Sequence, residues 1–233
     1  MRSRLAALAV PALLLALTAC GGDSDEGGGS EDRPPEEVLA SAKAELDDTA
    51  GVMITLETSD LPDGVTGILA AEGVGTHAPA FDGTIDVSIS AGQFQVPVIA
   101  VGGKVYAEIP LSPGMQEVDP GEYGAPDPAQ LMSPDKGFSS LLPATEGLEK
   151  GESIRGGEGN KEILTEYSGT VPGTVVKNII PGSTGDFDVT YTVSDSGELR
   201  SAVLTGAFYQ GADSMTYTLT FDDYGTEKDI AAP

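Results

Sequence analysis

The side chains best suited to chemistry are few, and each is the only one of its kind. The chain of 233 residues has one cysteine, Cys20, and one histidine, His77. Cys20 closes the tetrad Leu17-Thr18-Ala19-Cys20 after an apolar run from Leu5 to Leu17 and the two cations Arg2 and Arg4. A basic start, a short apolar core and small residues before a cysteine are the marks of an export leader. The thiol at that position is the one that lipoprotein processing acylates, which makes residues 1–19 a signal peptide and Cys20 a lipidated mature N-terminus. An apolar run of this length is well short of the roughly 20 residues that span a bilayer as a helix. Arg2 and Arg4 are separated by Ser3, so the adjacent pair of a twin-arginine signal is missing and the general export route is expected. With Cys20 acylated, no thiol is left for a disulfide, a nucleophile or a metal site.

A lone histidine allows no imidazole pair for a metal, and any catalytic triad would have to use His77. Its neighbours Ala78-Pro79 place it in a turn, where a solvated histidine is expected. No Gly-x-Ser-x-Gly segment occurs, and Gly73-Val74-Gly75, Gly102-Gly103 and Gly156-Gly157 lack the strand-to-helix switch of a phosphate loop. The 37 acids guarantee carboxylate pairs of the kind glycosidases use. Yet there is no Trp, and the 7 Tyr and 6 Phe are scattered, so no aromatic sugar platform is built. Asp82, Asp86, Asp119, Asp127, Asp135, Asp186, Asp188, Asp222 and Asp223 lie mostly beside turn or helix-start signals, where aspartate caps backbone amides. The pair Asp222-Asp223 lacks the loop spacing of an EF-hand. No catalytic residue, metal or cofactor is expected, and the chain reads as a non-enzyme.

Cleavage removes Arg2 and Arg4 and keeps every acid, so the formal charge falls from −25 to −27. That sign repels phosphates and excludes nucleic acid as a partner. It also holds the domain away from anionic headgroups. Residues 20–33 supply the tether: after Cys20 the segment is Gly, Ser and acid without a large apolar side chain, giving a flexible coil of roughly 20 Å root-mean-square span. Residues 34–233 then form one domain, long enough for a sizeable core.

The elements that would position a site follow from periodicity. Pro34-Pro35-Glu36-Glu37, followed by Val38, Leu39, Ala42 and Leu46, predicts an opening amphipathic helix. Strands are predicted from Gly51, then over Val65–Thr76, Phe81–Ser90, Gln93–Val101 and Lys104–Ile109, with Gly turns that imply antiparallel hairpins. Short helices are expected after Asp127-Pro128 and Ser133-Pro134, and over Val171–Pro181. Strands Gly151–Arg155, Glu162–Thr170, Asp186–Ser194, Glu198–Phe208 and Ser214–Phe221 complete the set. The fold class is therefore α+β: a long antiparallel sheet of nine or ten strands that must curl, with short helices covering its concave face. A hydrophobic cavity can lie between the two layers. Its expected lining is Phe94, Val96, Val98, Ile99 and Val101 from one near-continuous apolar strand, with Leu131, Met132, Phe138, Leu141 and Leu142 from the helical insertion.

The segment Asp127-Pro128-Ala129-Gln130-Leu131-Met132-Ser133-Pro134-Asp135-Lys136-Gly137-Phe138 resembles the actinobacterial lipoprotein family that includes LppX, LprA, LprF and LprG. Gly102-Gly103-Lys104-Val105-Tyr106-Ala107 and the late hairpin from Tyr191-Thr192-Val193 to Val203 are similar to further parts of it. The departures are the acid content and the missing Trp after the Tyr hairpin. The resemblance implies a half-barrel like the carriers LolA and LolB, an acyl-chain cavity, and carriage of acylated lipids or glycolipids across the envelope. The leader and the acylated Cys20 imply a protein held on the outer face of the cytoplasmic membrane, and a membrane transporter is a candidate partner. The residues alone also allow a different class, an envelope scaffold or sensor with a collapsed cavity that binds a protein partner.

Overall fold

A computed structural model describes residues 33–110, 112–123 and 125–233. The expected signal peptide, Cys20 and the tether up to residue 32 lie outside the described residues.

The helix α1, Pro35–Asp48, begins where proline and the acids Glu36 and Glu37 favour a helix start, and it buries Val38, Leu39, Ala42 and Leu46 on one face. Eleven strands follow: β1 Gly51–Glu57, β2 Gly67–Thr76, β3 Ala80–Ile89, β4 Gly92–Val101, β5 Lys104–Ala107, β6 Gln116–Val118, β7 Glu146–Gly156, β8 Glu162–Val171, β9 Thr184–Ser194, β10 Leu199–Ala207 and β11 Met215–Asp222. They form one antiparallel sheet in the order β6-β5-β4-β3-β2-β1-β11-β10-β9-β8-β7. The sheet is thus two meanders joined by the β1–β11 ladder, in which Ile54 faces Phe221 and Leu56 faces Leu219. The edges β6 and β7 do not pair, so the curl stops short of a closed barrel.

Strand β6 has only three residues and follows no sequence signal of its own; it exists because Val105 and Ala107 offer it a partner edge. The two insertions expected between strands are present. The segment between β6 and β7 carries short 310 turns at Gln130–Met132 and Phe138–Ala144, and the segment between β8 and β9 carries α2, Gly173–Val176. Aspartates hold these turns as anticipated. Asp127 Oδ1 accepts from the Ala129 amide at 2.9 Å and Asp186 Oδ1 from the Gly173 amide at 2.9 Å.

Period-two alternation places one face of the sheet inward. On the β8–β11 side, Tyr167, Phe187, Val189, Tyr191, Leu204, Met215 and Phe221 pack with α1 and with Phe138, Leu141 and Leu142 in a large apolar cluster. On the β3–β5 side a smaller cluster holds Phe81, Val98, Ala100, Val105 and Ala107 with Ala129. The outer face bears rows of threonine; Thr205 and Thr216 share a hydrogen bond of 2.9 Å across β10 and β11.

Candidate ligand cavity

The inner face of β3 reads Phe81, Gly83, Ile85, Val87, Ile89, and these stand opposite Ala100, Val98, Val96, Phe94 and Gly92 of β4. On the other side of β3, Gly73 faces Gly83 and Ala71 faces Ile85. The glycine pair removes side chains from the middle of the concave face. The aromatic ring of Phe81 lies over the vacated surface: its Cζ is 2.5 Å and 2.7 Å from where Cβ atoms would stand on Gly73 and Gly83. Phe81 thus takes the place of the missing side chains and is itself part of the wall, with open space beyond its ring along the concave face.

That space is a cavity of about 330 Å3, within the range that takes a single small ligand. Its sheet wall includes Ile54 and Leu56 of β1, Ile85, Val87 and Ile89 of β3, and Phe94, Val96 and Val98 of β4. The β6–β7 segment covers it with Pro128, Leu131, Phe138 and Leu141, and α2 with the turn after it adds Val176, Ile179 and Ile180. Among the described residues no lining side chain is charged, and the side-chain hydroxyls are those of Thr66, Tyr209 and Tyr217.

The two tyrosines consume their own polarity. A bulge at Leu69 interrupts the β2–β3 ladder between Ile68 and Ala70, freeing backbone groups of Ile68. The Ile68 amide donates to Tyr209 Oη at 2.9 Å, the Tyr209 hydroxyl meets that of Tyr217 at 2.8 Å, and Tyr217 donates to the Ile68 carbonyl. Burial, followed by the neighbouring Tyr209, pushes the Tyr217 phenol far above its ordinary value. The ring of hydrogen bonds therefore stays neutral, and the wall behaves as apolar surface.

Of the ten lining residues expected from sequence, Phe94, Val96, Val98, Leu131, Phe138 and Leu141 are brought together on this wall. Four are not. Ile99 and Val101 fall on the opposite face of β4, where Ile99 stands between Asp82 and Tyr106 and Val101 pairs with Lys104; alternation overrides the continuous apolar run. Met132 turns away from Leu131 and packs its Cγ and Sδ over Gly75. Leu142 is fully buried in the large cluster. In a 310 turn residues three apart eclipse, so Phe138 and Leu141 share the cavity side and Leu142 does not. Sequence reasoning overlooked the β3 row, although Phe81-Asp82-Gly83-Thr84-Ile85-Asp86-Val87-Ser88-Ile89 alternates strictly. It also overlooked the tyrosine pair, for which no sequence signal exists because the bulge creates it.

His77 is not the solvated loop residue expected. It is half-buried and its Nε2–H donates to the Leu46 carbonyl at 2.6 Å, satisfying one of the last carbonyls of α1. It lines a separate cavity of about 20 Å3 with Asp47 and Ser139, room for about one water. Among the described residues no group of three or more His, Cys, Asp or Glu could hold a metal ion, and no helix is long and apolar enough to cross a membrane.

An unclosed antiparallel sheet with short helices over its concave face, enclosing an apolar, uncharged cavity, defines a class of binding proteins for a hydrophobic ligand. The chain belongs to the LppX_LprAFG lipoprotein family, whose family model matches residues 34–230. Two solved structures share the fold. LprF from Mycobacterium bovis superposes with a TM-score of 0.67 at 14% sequence identity, over 85% of this chain and 96% of that one. Lipoprotein LppX from Mycobacterium tuberculosis superposes with a TM-score of 0.61 at 16% identity, over 84% and 97%. A search of curated protein sequences returns no significant match.

Proposed function

We propose that the protein is an exported lipoprotein that binds the acyl chains of a lipid or glycolipid and carries it across the cell envelope, without covalent chemistry. Residues 1–19 act as the leader, acylated Cys20 as the anchor on the outer face of the cytoplasmic membrane, and residues 20–33 as the tether of one binding domain, residues 34–233. The observation that carries the reading is the cavity of about 330 Å3 with no charged side chain among the described residues of its wall. Such a wall offers nothing to an ionic or sugar ligand and suits methylene groups. Each buried methylene gains about 0.8 kcal/mol over water and almost nothing over a bilayer interior. A chain so held does not escape into water, and its return to a membrane is nearly isoenergetic. Family membership and the fold of LprF and LppX support the same reading.

The test is native mass spectrometry with solvent extraction on protein purified from an actinobacterial host. A co-purifying acylated lipid, at one or fewer per chain, is expected. Protein that carries none and takes up none when offered fatty acid or diacyl lipid refutes the carrier reading.

A further inference from the structure

Two large hydrophobic side chains are exposed among the described residues, Ile89 at 39% and Ile154 at 54%. They differ in what lies behind them. Ile154 belongs to the edge strand β7, between Ser153 and Arg155, and does not line the cavity. Ile89 ends β3, pairs with Gly92 across the turn at Ser90-Ala91, and is itself part of the cavity wall. It is continuous on one side with solvent and on the other, through Val87 and Phe94, with the interior.

The chain segment that carries Ile89 is also unusual in charge. In a chain where 21% of residues are charged and the formal charge is −25, the stretch from Val87 to Gly103 contains no Asp, Glu, Lys or Arg. Ser90, Ala91, Gly92 and Gln93 at the turn are exposed and uncharged. A strongly acidic body is held off an anionic surface, and a charge-free hairpin with an exposed isoleucine is the part of it that enters a lipid interface at least cost.

We infer that the β3–β4 hairpin tip is a membrane-docking surface: it seats the mouth of the cavity on a lipid bilayer so that a chain passes between bilayer and cavity without crossing water. The inference rests on the carrier reading for its purpose and on Ile89 and the charge-free stretch for its location. Docking by the tip is weak and reversible because it engages a single hairpin. Retention on the membrane is left to the anchor.

The chain has no tryptophan, so one introduced indole reports one site. Ala91→Trp and Ile154→Trp are made in the full chain and mixed with vesicles of brominated phosphatidylcholine. Emission of the Ala91→Trp protein is expected to shift to shorter wavelength and be quenched, while that of Ile154→Trp stays unchanged. Adding Ser88→Asp and Ser90→Asp to Ala91→Trp should abolish the quenching and slow transfer of a fluorescent fatty acid between vesicles. The fatty acid bound per chain should not change, because neither serine lines the cavity. An Ala91→Trp indole quenched no more than the Ile154→Trp indole overturns the docking surface. Failure of every variant and of the parent to bind fatty acid, with the tip still quenched, overturns the carrier reading and leaves the docking surface standing.

Discussion

Val98→Trp separates a cavity from a filled core by the sign of its effect. Val98 is 5% exposed, and in the ladders it stands between Gly83 of β3 and Ala107 of β5. Val98 lines the cavity, but the Phe81 ring already covers the neighbouring Gly83, so an indole reaches the open space beside that ring. Aromatic side chains bury roughly 150–250 Å2, about 100 Å2 more than valine. At about 25 cal/mol per Å2 the ceiling on the gain is about 2.5 kcal/mol, and cavity filling generally returns about 0.5–2 kcal/mol. In a packed interior the same substitution costs about 1–3 kcal/mol. The two cases differ by several degrees in Tm, in opposite directions, at roughly 2–4 °C per kcal/mol for a chain of this size. The comparison needs lipid-stripped protein, since a bound ligand stabilises the parent selectively. The expected result is unchanged or raised Tm, blue-shifted indole emission and a reduced load of extractable lipid. A Tm lowered by the full overpacking cost, with lipid load unaltered, refutes the reasoning.

Three further substitutions test the scaffold of the cavity. Gly83→Ala places a Cβ 2.2 Å from the Glu72 carbonyl oxygen and 2.6 Å from Gly73 Cα, both backbone atoms that cannot step aside, so urea denaturation should show a loss of about 1–3 kcal/mol. Tyr217→Phe leaves the Ile68 carbonyl and the Tyr209 hydroxyl short of a partner beside the cavity; a loss of about 1–3 kcal/mol is expected, with hydrogen exchange accelerated around Ile68. The Thr58 hydroxyl, then the Thr216 amide, hold the Asp60 carboxyl below its ordinary value. Its contribution is whole above the unfolded value of about 3.9 and is lost as pH falls through the depressed native one. Asp60→Asn should therefore be less stable than the parent at pH 6, by less than about 1 kcal/mol for so exposed a group, with the difference closing in strong acid.

Much of the sheet could be read from periodicity, because strands buried on one face alternate and their turns are marked by glycine. Ten of the eleven described strands overlap expected segments, though β7, Glu146–Gly156, is exposed along almost its whole length and is anticipated only over Gly151–Arg155; β6 has too few residues to show a pattern. The cavity wall was less legible. In β4 the segment Val98-Ile99-Ala100-Val101 is apolar on both faces, so composition gave Ile99 and Val101 the same standing as Val98, and only pairing with β3 and β5 separates them. In the 310 turn the three-residue repeat decides between Leu141 and Leu142, while the expected α-helical repeat does not. The seat of Phe81 on that wall depends on Gly73 meeting Gly83 across strands, a coincidence of register that no single segment encodes.

The β1–β11 ladder has a consequence for how the protein comes into being. Each meander is built from neighbours in sequence, but the join between them ties residues far apart, as in the hydrogen bond from the Thr216 amide to the Asp60 carboxylate across 156 residues. Closing a loop of that length costs about 4–5 kcal/mol of chain entropy, and non-local pairing of this kind sets a slow step. That cost favours the local hairpins, and the concave face is expected to be completed only when the final strand docks beside the first. Until then the apolar side chains of both halves are open to solvent and to neighbouring chains. A chain of this topology in which β11 has not yet paired with β1 is expected to aggregate more readily than the completed sheet.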